Sequence, residues 1–207
     1  MRTDHKVTFR RREEIKQIAE RARSLGKEFD RAGFQITNYL RMLAHENLLK
    51  TGLLQIRTFS AKDGEAPAYV TYNPTTLHVD QEIWGDADDG EPGARFILAH
   101  ELGHIILHDH YAQPFSGEKQ KWITMDEESA EWQANTFADH FLISDMEVCT
   151  YITVKDTAIY CFVDRVVALR RLAPIKYTGN HCGCGSTAIV RYGTVEKCEE
   201  CSNTWCS

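Results

Sequence analysis

Nowhere in the 207 residues does an apolar run approach the ~20 residues that a membrane span requires, so no membrane partner is expected. An apolar h-region is also missing behind the charged start MRTDHKVTFRRR. That argues against a secretory signal and makes a cytoplasmic location the expectation. Internal repeats and low-complexity tracts are absent too, and the length suits one core with a small appended module. What is present is an ordinary globular composition, 43% hydrophobic and 26% charged. The net charge of −6 is uneven: residues 1–57 hold 13 Lys+Arg against 7 Asp+Glu, and the remainder hold 11 against 23. This basic excess is small beside a dedicated DNA-binding arm, so direct nucleic-acid contact is compatible with the sequence but not indicated by it.

RREEIKQIAERARSLG places Ile15, Ile18, Ala19, Ala22 and Leu25 at helical spacing, with Gly26 as a stop. FQITNYLRMLAHENLLKTG predicts a second helix ending at Gly52. LLQIRTFS and PAYVTYNPTTLHVD alternate and are rich in Val, Thr and Tyr. They read as strands of a small antiparallel sheet, with Asn73-Pro74 at a hairpin turn. GDADDGEPG, Gly85 to Gly93, reads as an acidic loop. A long helix is predicted from Met125 to Phe141, with Thr124 as its cap and Asp126, Glu127 and Glu128 at the positive end of its dipole. DTAIYCFVDRVVALRRLA reads as two short helices and a turn, and Cys149 and Cys161 fall in helical stretches as expected buried small hydrophobes.

Between the loop and the long helix lies RFILAHELGHIILHDH, which contains His-Glu-x-x-His at His100, Glu101 and His104. Positions i and i+4 share a helix face, about 5–6 Å apart, so both rings can reach one zinc ion. Glu101, rotated by ~100°, can take a proton from water activated there without becoming a ligand. Ile97, Leu98, Leu102, Ile105 and Ile106 would bury much of this helix, where an unpartnered carboxylate is costly. A catalytic zinc wants three protein ligands and one open position. His110 has the spacing of a third histidine, but Leu107 stands where the chain needs a glycine to turn back. His108 reads as a polar residue at a helix end. Glu131 is the better candidate, because Ala134 and Ala138 beside it let another backbone come close. Asn135, one turn on, can orient a ligand by a hydrogen bond or face solvent. Tyr69, Tyr72 and Tyr111 are weak candidates to stabilise an oxyanion.

ARFILAHELGHIILH followed by EESAEWQANTFADHFLIS, with Glu131 27 residues after His104, resembles the ImmA/IrrE family of bacterial and phage metallopeptidases. The hairpin before it and CFVDRVVALRRL after it extend the resemblance over about residues 10 to 173. It implies an α+β, zincin-like (gluzincin-type) domain at residues 1–176, with N-terminal helices at 1–57 and a helix-turn-helix-like part at 145–173. It also implies His100, His104 and Glu131 as ligands of a catalytic Zn2+, and Glu101 as general base. The implied partner is a helix-turn-helix repressor, cut to release stress or mobile-element genes. Two other readings are carried: a SprT-like protease acting on DNA-bound proteins, whose third ligand is a histidine, and a non-catalytic regulator of antitoxin type.

The family does not require the tail at 177–207. Five of the seven cysteines fall between Cys182 and Cys206, and in a reducing compartment such crowding argues for metal rather than disulfides. Cys198-x-x-Cys201 behind a first knuckle at Cys184 describes a zinc ribbon holding a structural Zn2+. The fourth ligand is open between Cys182 and His181, with Cys206 as a further substitute. Arg191 and Lys197 stand against Glu196, Glu199 and Glu200, so the charge of the ribbon does not announce DNA.

Overall fold

The computed structural model describes residues 4–46, 48–49, 52–108, 123–172, 176–177, 182–186, 189–192, 195–198, 200–201 and 203–206. The chain enters as an extended strap along the segment before the Glu131 helix. Lys6 forms a β-bridge with Ser129, while Val7 N and Arg10 N donate to the carbonyls of Glu128 (2.8 Å) and Glu127 (3.2 Å). Helix α1 (Arg12–Arg23) buries Ile15, Ala19 and Ala22 at the spacing of one helix face. Helix α2 (Ile36–His45) buries Ile36, Tyr39, Leu40 and Leu43, and the Tyr39 hydroxyl donates to Ala22 O at 2.7 Å. It stops seven residues short of Gly52. Glu46 turns to extended backbone (φ −108°, ψ 133°), and Leu43 O accepts from Leu54 N, which returns from outside the helix.

The first sheet has the order β1-β3-β2, from β1 (Gln55–Phe59), β2 (Ala68–Thr71) and β3 (Thr76–Asp80). β2 and β3 form the hairpin through Asn73-Pro74 and pair antiparallel. β1 pairs parallel to β3, so the sheet is mixed rather than wholly antiparallel. The hairpin occupies one side of β3, and the chain from Phe59 must cross to that side before β2 starts. Helix α3 (Gln81–Asp88) follows β3 at once, its first turn capped by Asp80 Oδ1 accepting from Glu82 N at 2.8 Å. Much of the stretch expected to be an acidic loop, from Gly85 on, is therefore helical, and the turn comes at Gly90, where φ is +87°.

Helix α4 (Pro92–Leu107) carries the His-Glu-x-x-His motif; Pro92 opens it and Glu91 caps Ala94 N at 2.6 Å. Helix α5 (Ala130–Leu142) begins five residues later than the predicted start at Met125. Ser129 Oγ caps it by accepting from Trp132 N at 2.9 Å, while Asp126–Glu128 form a 3-10 turn held by the N-terminal strap. Ala130, Ala134, Phe137, Ala138 and Phe141 are fully buried on α5. Helices α6 (Asp145–Tyr151), α7 (Val154–Cys161) and α8 (Arg165–Leu172) complete the domain, and Arg170 on α8 pairs with buried Asp139 on α5 through bonds of 3.0 and 2.7 Å. Cys161 is buried, but Cys149 is exposed, because α6 turns that position outward while Glu147 and Val148 face the core.

The second sheet is antiparallel in the order β4-β5-β6-β7, from β4 (Lys176–Tyr177), β5 (Ile189–Tyr192), β6 (Val195–Cys198) and β7 (Thr204–Cys206). Lys197 on β6 pairs with Asp156 on α7 and fastens this sheet to the helices. Among the described residues, no helix is long and apolar enough to cross a membrane.

Candidate metal centre

Helix α4 meets α5 at unusual proximity. A Cβ on Gly103 would stand 3.1 Å from both Ala134 Cα and Ala134 O, and 3.3 Å from Phe137 Cβ. Glycine in the motif and alanine on the facing helix thus allow the contact that brings Glu131 to the histidines. Gly103→Ala should force the helices apart and cost about 1–3 kcal/mol by overpacking. Thermal unfolding of the variant checks this, and an unchanged midpoint would show that the seam has slack.

Three donor atoms converge between the helices. His100 Nε2 and His104 Nε2 are 3.0 Å apart, His100 Nε2 is 3.3 Å from Glu131 Oε2, and His104 Nε2 is 3.4 Å from Glu131 Oε1. Four-coordinate zinc, with ligand bonds of about 2.0–2.1 Å, sets neighbouring donors roughly 3.3 Å apart, so the donor set fits the ion. Asn135 Oδ1 lies 2.9 Å from His100 Nδ1, and an amide oxygen can only accept. His100 therefore keeps its proton on Nδ1 and turns Nε2 inward.

The electrostatics favour a cation at this point. With the rings protonated and no metal ion between them, hydrogen bonds from His100, and then from His104, hold the Glu131 carboxyl well below the usual carboxylate range. Burial opposes a charged His100 ring, yet the Glu131 hydrogen bond and the charges of Glu101 and Glu131 together raise its pKa. His108 does cap the end of α4, and it is buried there: its Nδ1 is 3.1 Å from His104 Nδ1, and burial pushes its pKa down to about 3. Tyr72 donates to the main-chain carbonyl of His104 at 3.1 Å, and Tyr69 stacks on His78. Tyr111 and His110 lie outside the described residues.

Glu101 is buried and faces a cavity of about 280 Å³ whose lining includes His100 and Glu131. Its other walls are Ala66, Pro67 and Ala68 at the start of β2, and Phe96 and Ile97 on α4. Residues 53–152, which span this whole cluster, match the family model Peptidase_M78, the IrrE N-terminal-like domain. This is an ImmA/IrrE-family domain. The family is one of zinc-dependent metallopeptidases. No curated protein matches the chain.

The match ends before the second cluster. Cys182, Cys184, Cys198 and Cys201 bring their sulfurs within 4.8 Å of one another. Cys182 Sγ is 3.5 Å from Cys201 Sγ, and Cys184 Sγ is 3.7 Å from Cys198 Sγ. Zinc–thiolate bonds of about 2.3 Å place sulfurs roughly 3.7–3.8 Å apart in a tetrahedron, so this group also suits zinc. Cys182 supplies the fourth sulfur of the group; His181 lies outside the described residues. The backbone N–H of Cys201 holds the Cys198 thiol down at about 6. The Cys184 N–H works to lower Cys182 as well, but burial and the neighbouring thiols push it up to about 12. The sequence did not reveal that Arg191 is taken by Glu196 and Lys197 by Asp156, since both pairings depend on register and docking.

Proposed function

We propose that this protein is a zinc-dependent endopeptidase that cuts a helix-turn-helix transcriptional repressor, and so derepresses stress-response or mobile-element genes. The observation that carries the reading is the convergence of His100, His104 and Glu131 on one point, with Glu101 beside it in the wall of the cavity. The two Nε2 atoms and a Glu131 carboxylate oxygen would hold Zn2+ and leave a fourth position open. When bound, zinc supplies Lewis acidity and makes water acidic enough to lose its proton near neutral pH. A Glu101 carboxylate oxygen takes that proton and passes it to the departing amine nitrogen. Asn135 keeps His100 turned inward, and Ala66, Ala68, Phe96 and Ile97 offer an apolar wall to a substrate side chain and limit bulk water around Glu101. Cys182, Cys184, Cys198 and Cys201 would hold a structural Zn2+ in a ribbon. A carboxylate rather than a histidine in the third ligand position speaks against a SprT-like site.

Native mass spectrometry of zinc per chain tests the metal reading. The expected result is two zinc ions in the wild type, falling toward one in Glu131→Gln. Two in both would remove Glu131 from the ligand set, and a single zinc held by the cysteines alone would leave α4 a bare helix. For the substrate, protein N-termini are compared between cells carrying the wild type and Glu101→Gln. A new terminus inside a helix-turn-helix protein, present with the wild type only, is expected; its absence, with the repressor captured intact, would favour a non-catalytic regulator.

A further inference from the structure

Gln133 on α5 is fully buried, and its amide can be oriented without ambiguity. Its Nε2 donates to Thr8 O at 2.8 Å and to Glu127 O at 2.6 Å. Both partners are main-chain carbonyls, which only accept, so the nitrogen end must face them and Oε1 must face the other way. That oxygen lies 3.1 Å from His108 Nε2, so His108 carries its proton on Nε2. In the neutral ring Nδ1 is then bare. The atom 3.1 Å from it, His104 Nδ1, has to be the donor. His104 with its proton on Nδ1 presents a lone pair at Nε2, which is the atom turned toward Glu131 and His100.

We propose that His108, held by Gln133, is a positioning residue for the metal centre: it fixes the ring and tautomer of His104 so that Nε2 is free to bind the ion. The inference rests on the reading of His100, His104 and Glu131 as ligands. Asn135 does the corresponding service for His100, but from the helix that already carries Glu131. The His108 chain runs further, through Gln133 to the N-terminal strap at Thr8 and the 3-10 turn at Glu127. That strap also binds both helices of the pair: the Asp4 carboxylate accepts from Ser129 Oγ (2.6 Å) and Glu131 N (3.2 Å) at the start of α5, and Arg10 donates to Leu107 O at the end of α4. The ligand geometry is therefore set partly by residues more than 90 positions away in the chain.

The test uses the zinc-loaded full chain. Long-range 1H–15N spectra of the imidazole rings should find His108 protonated on Nε2; a proton on Nδ1 instead overturns the proposal, and no variant is needed for this arm. Metal retention against a chelator, read as zinc per chain, should then weaken roughly 10- to 100-fold in His108→Leu. His108→Gln should recover most of it, since its amide can accept from His104 and donate to Gln133. Glu131→Gln, run beside them, separates the two readings. If it loses one zinc while His108→Leu holds metal like the wild type, the relay is wrong and the ligand set stands. If Glu131→Gln also retains both ions, the ligand reading itself falls.

Discussion

Glu101→Gln is expected to lower peptide-bond cleavage by about 10²- to 10⁴-fold while zinc per chain stays at the wild-type value. Glutamine matches the shape of glutamate but holds no lone proton acceptor of comparable basicity. The size of the loss depends on whether another group can substitute. Glu101 and Glu131 are the two carboxylates among the described residues lining the cavity, and Glu131 is engaged with both histidines. Among the described residues lining the cavity, no second carboxylate is therefore in position to take over. The measurement is cleavage of the repressor by zinc-loaded wild type and variant at equal metal content. Undiminished cleavage in the variant would remove Glu101 from the mechanism; lost zinc would make it a ligand or a structural residue instead.

Glu147→Ala is expected to destabilise the fold by about 3–5 kcal/mol, the cost of leaving a buried charge without its partner. Arg23 on α1 is buried and meets Glu147 on α6 through two bonds of 2.7 and 2.5 Å. The same guanidinium donates to Phe29 O (3.0 Å) and Arg31 O (2.7 Å), and it lies over the Phe34 ring at 5.0 Å. Glu147 also completes the capping box of α6, accepting from Ser144 N at 2.7 Å. One carboxylate thus closes the first helix, the turn after it and the start of α6. Against a total stability of about 5–15 kcal/mol, such a loss is a large share. It should lower the unfolding midpoint by on the order of 10 °C. Replacing both partners with apolar residues, as in Arg23→Met with Glu147→Leu, should restore much of it. If the single variant melts with the wild type, the pair contributes nothing net.

The features read correctly from sequence are those decided within one or two helical turns. Ile15, Ala19 and Ala22 mark α1 because a single face repeats, and Asn73-Pro74 marks the β2–β3 turn because backbone chemistry is local. The errors have local causes too. Gly85 and the surrounding aspartates resemble a loop, but Asp80 caps a helix that runs through them. Asp126–Glu128 look like a first helical turn, but the strap engages their carbonyls and the helix waits for Ser129. β1 lies beside β3 in parallel through a connection that no nearest-neighbour pattern encodes.

For the site, the sequence by itself determined His100, Glu101 and His104 as one constellation, because i and i+4 share a helix face whatever else surrounds them. It also determined that Cys198 and Cys201 belong to a thiolate group, because a two-residue gap returns the chain to the same point. Only the tertiary structure revealed that the Cys182 sulfur lies with those of Cys184, Cys198 and Cys201, and that Cys149 faces outward. It alone revealed His108 and Gln133 beneath His104, and the strap behind them. Apart from the one-turn contact of His104 with His108, those contacts join residues 25 to 127 positions apart, and their geometry follows from how closely Gly103 and Ala134 let two helices approach. Spacing along a helix is set by its own backbone, whereas orientation across a helix pair is set by packing, and a single sequence carries no direct record of packing.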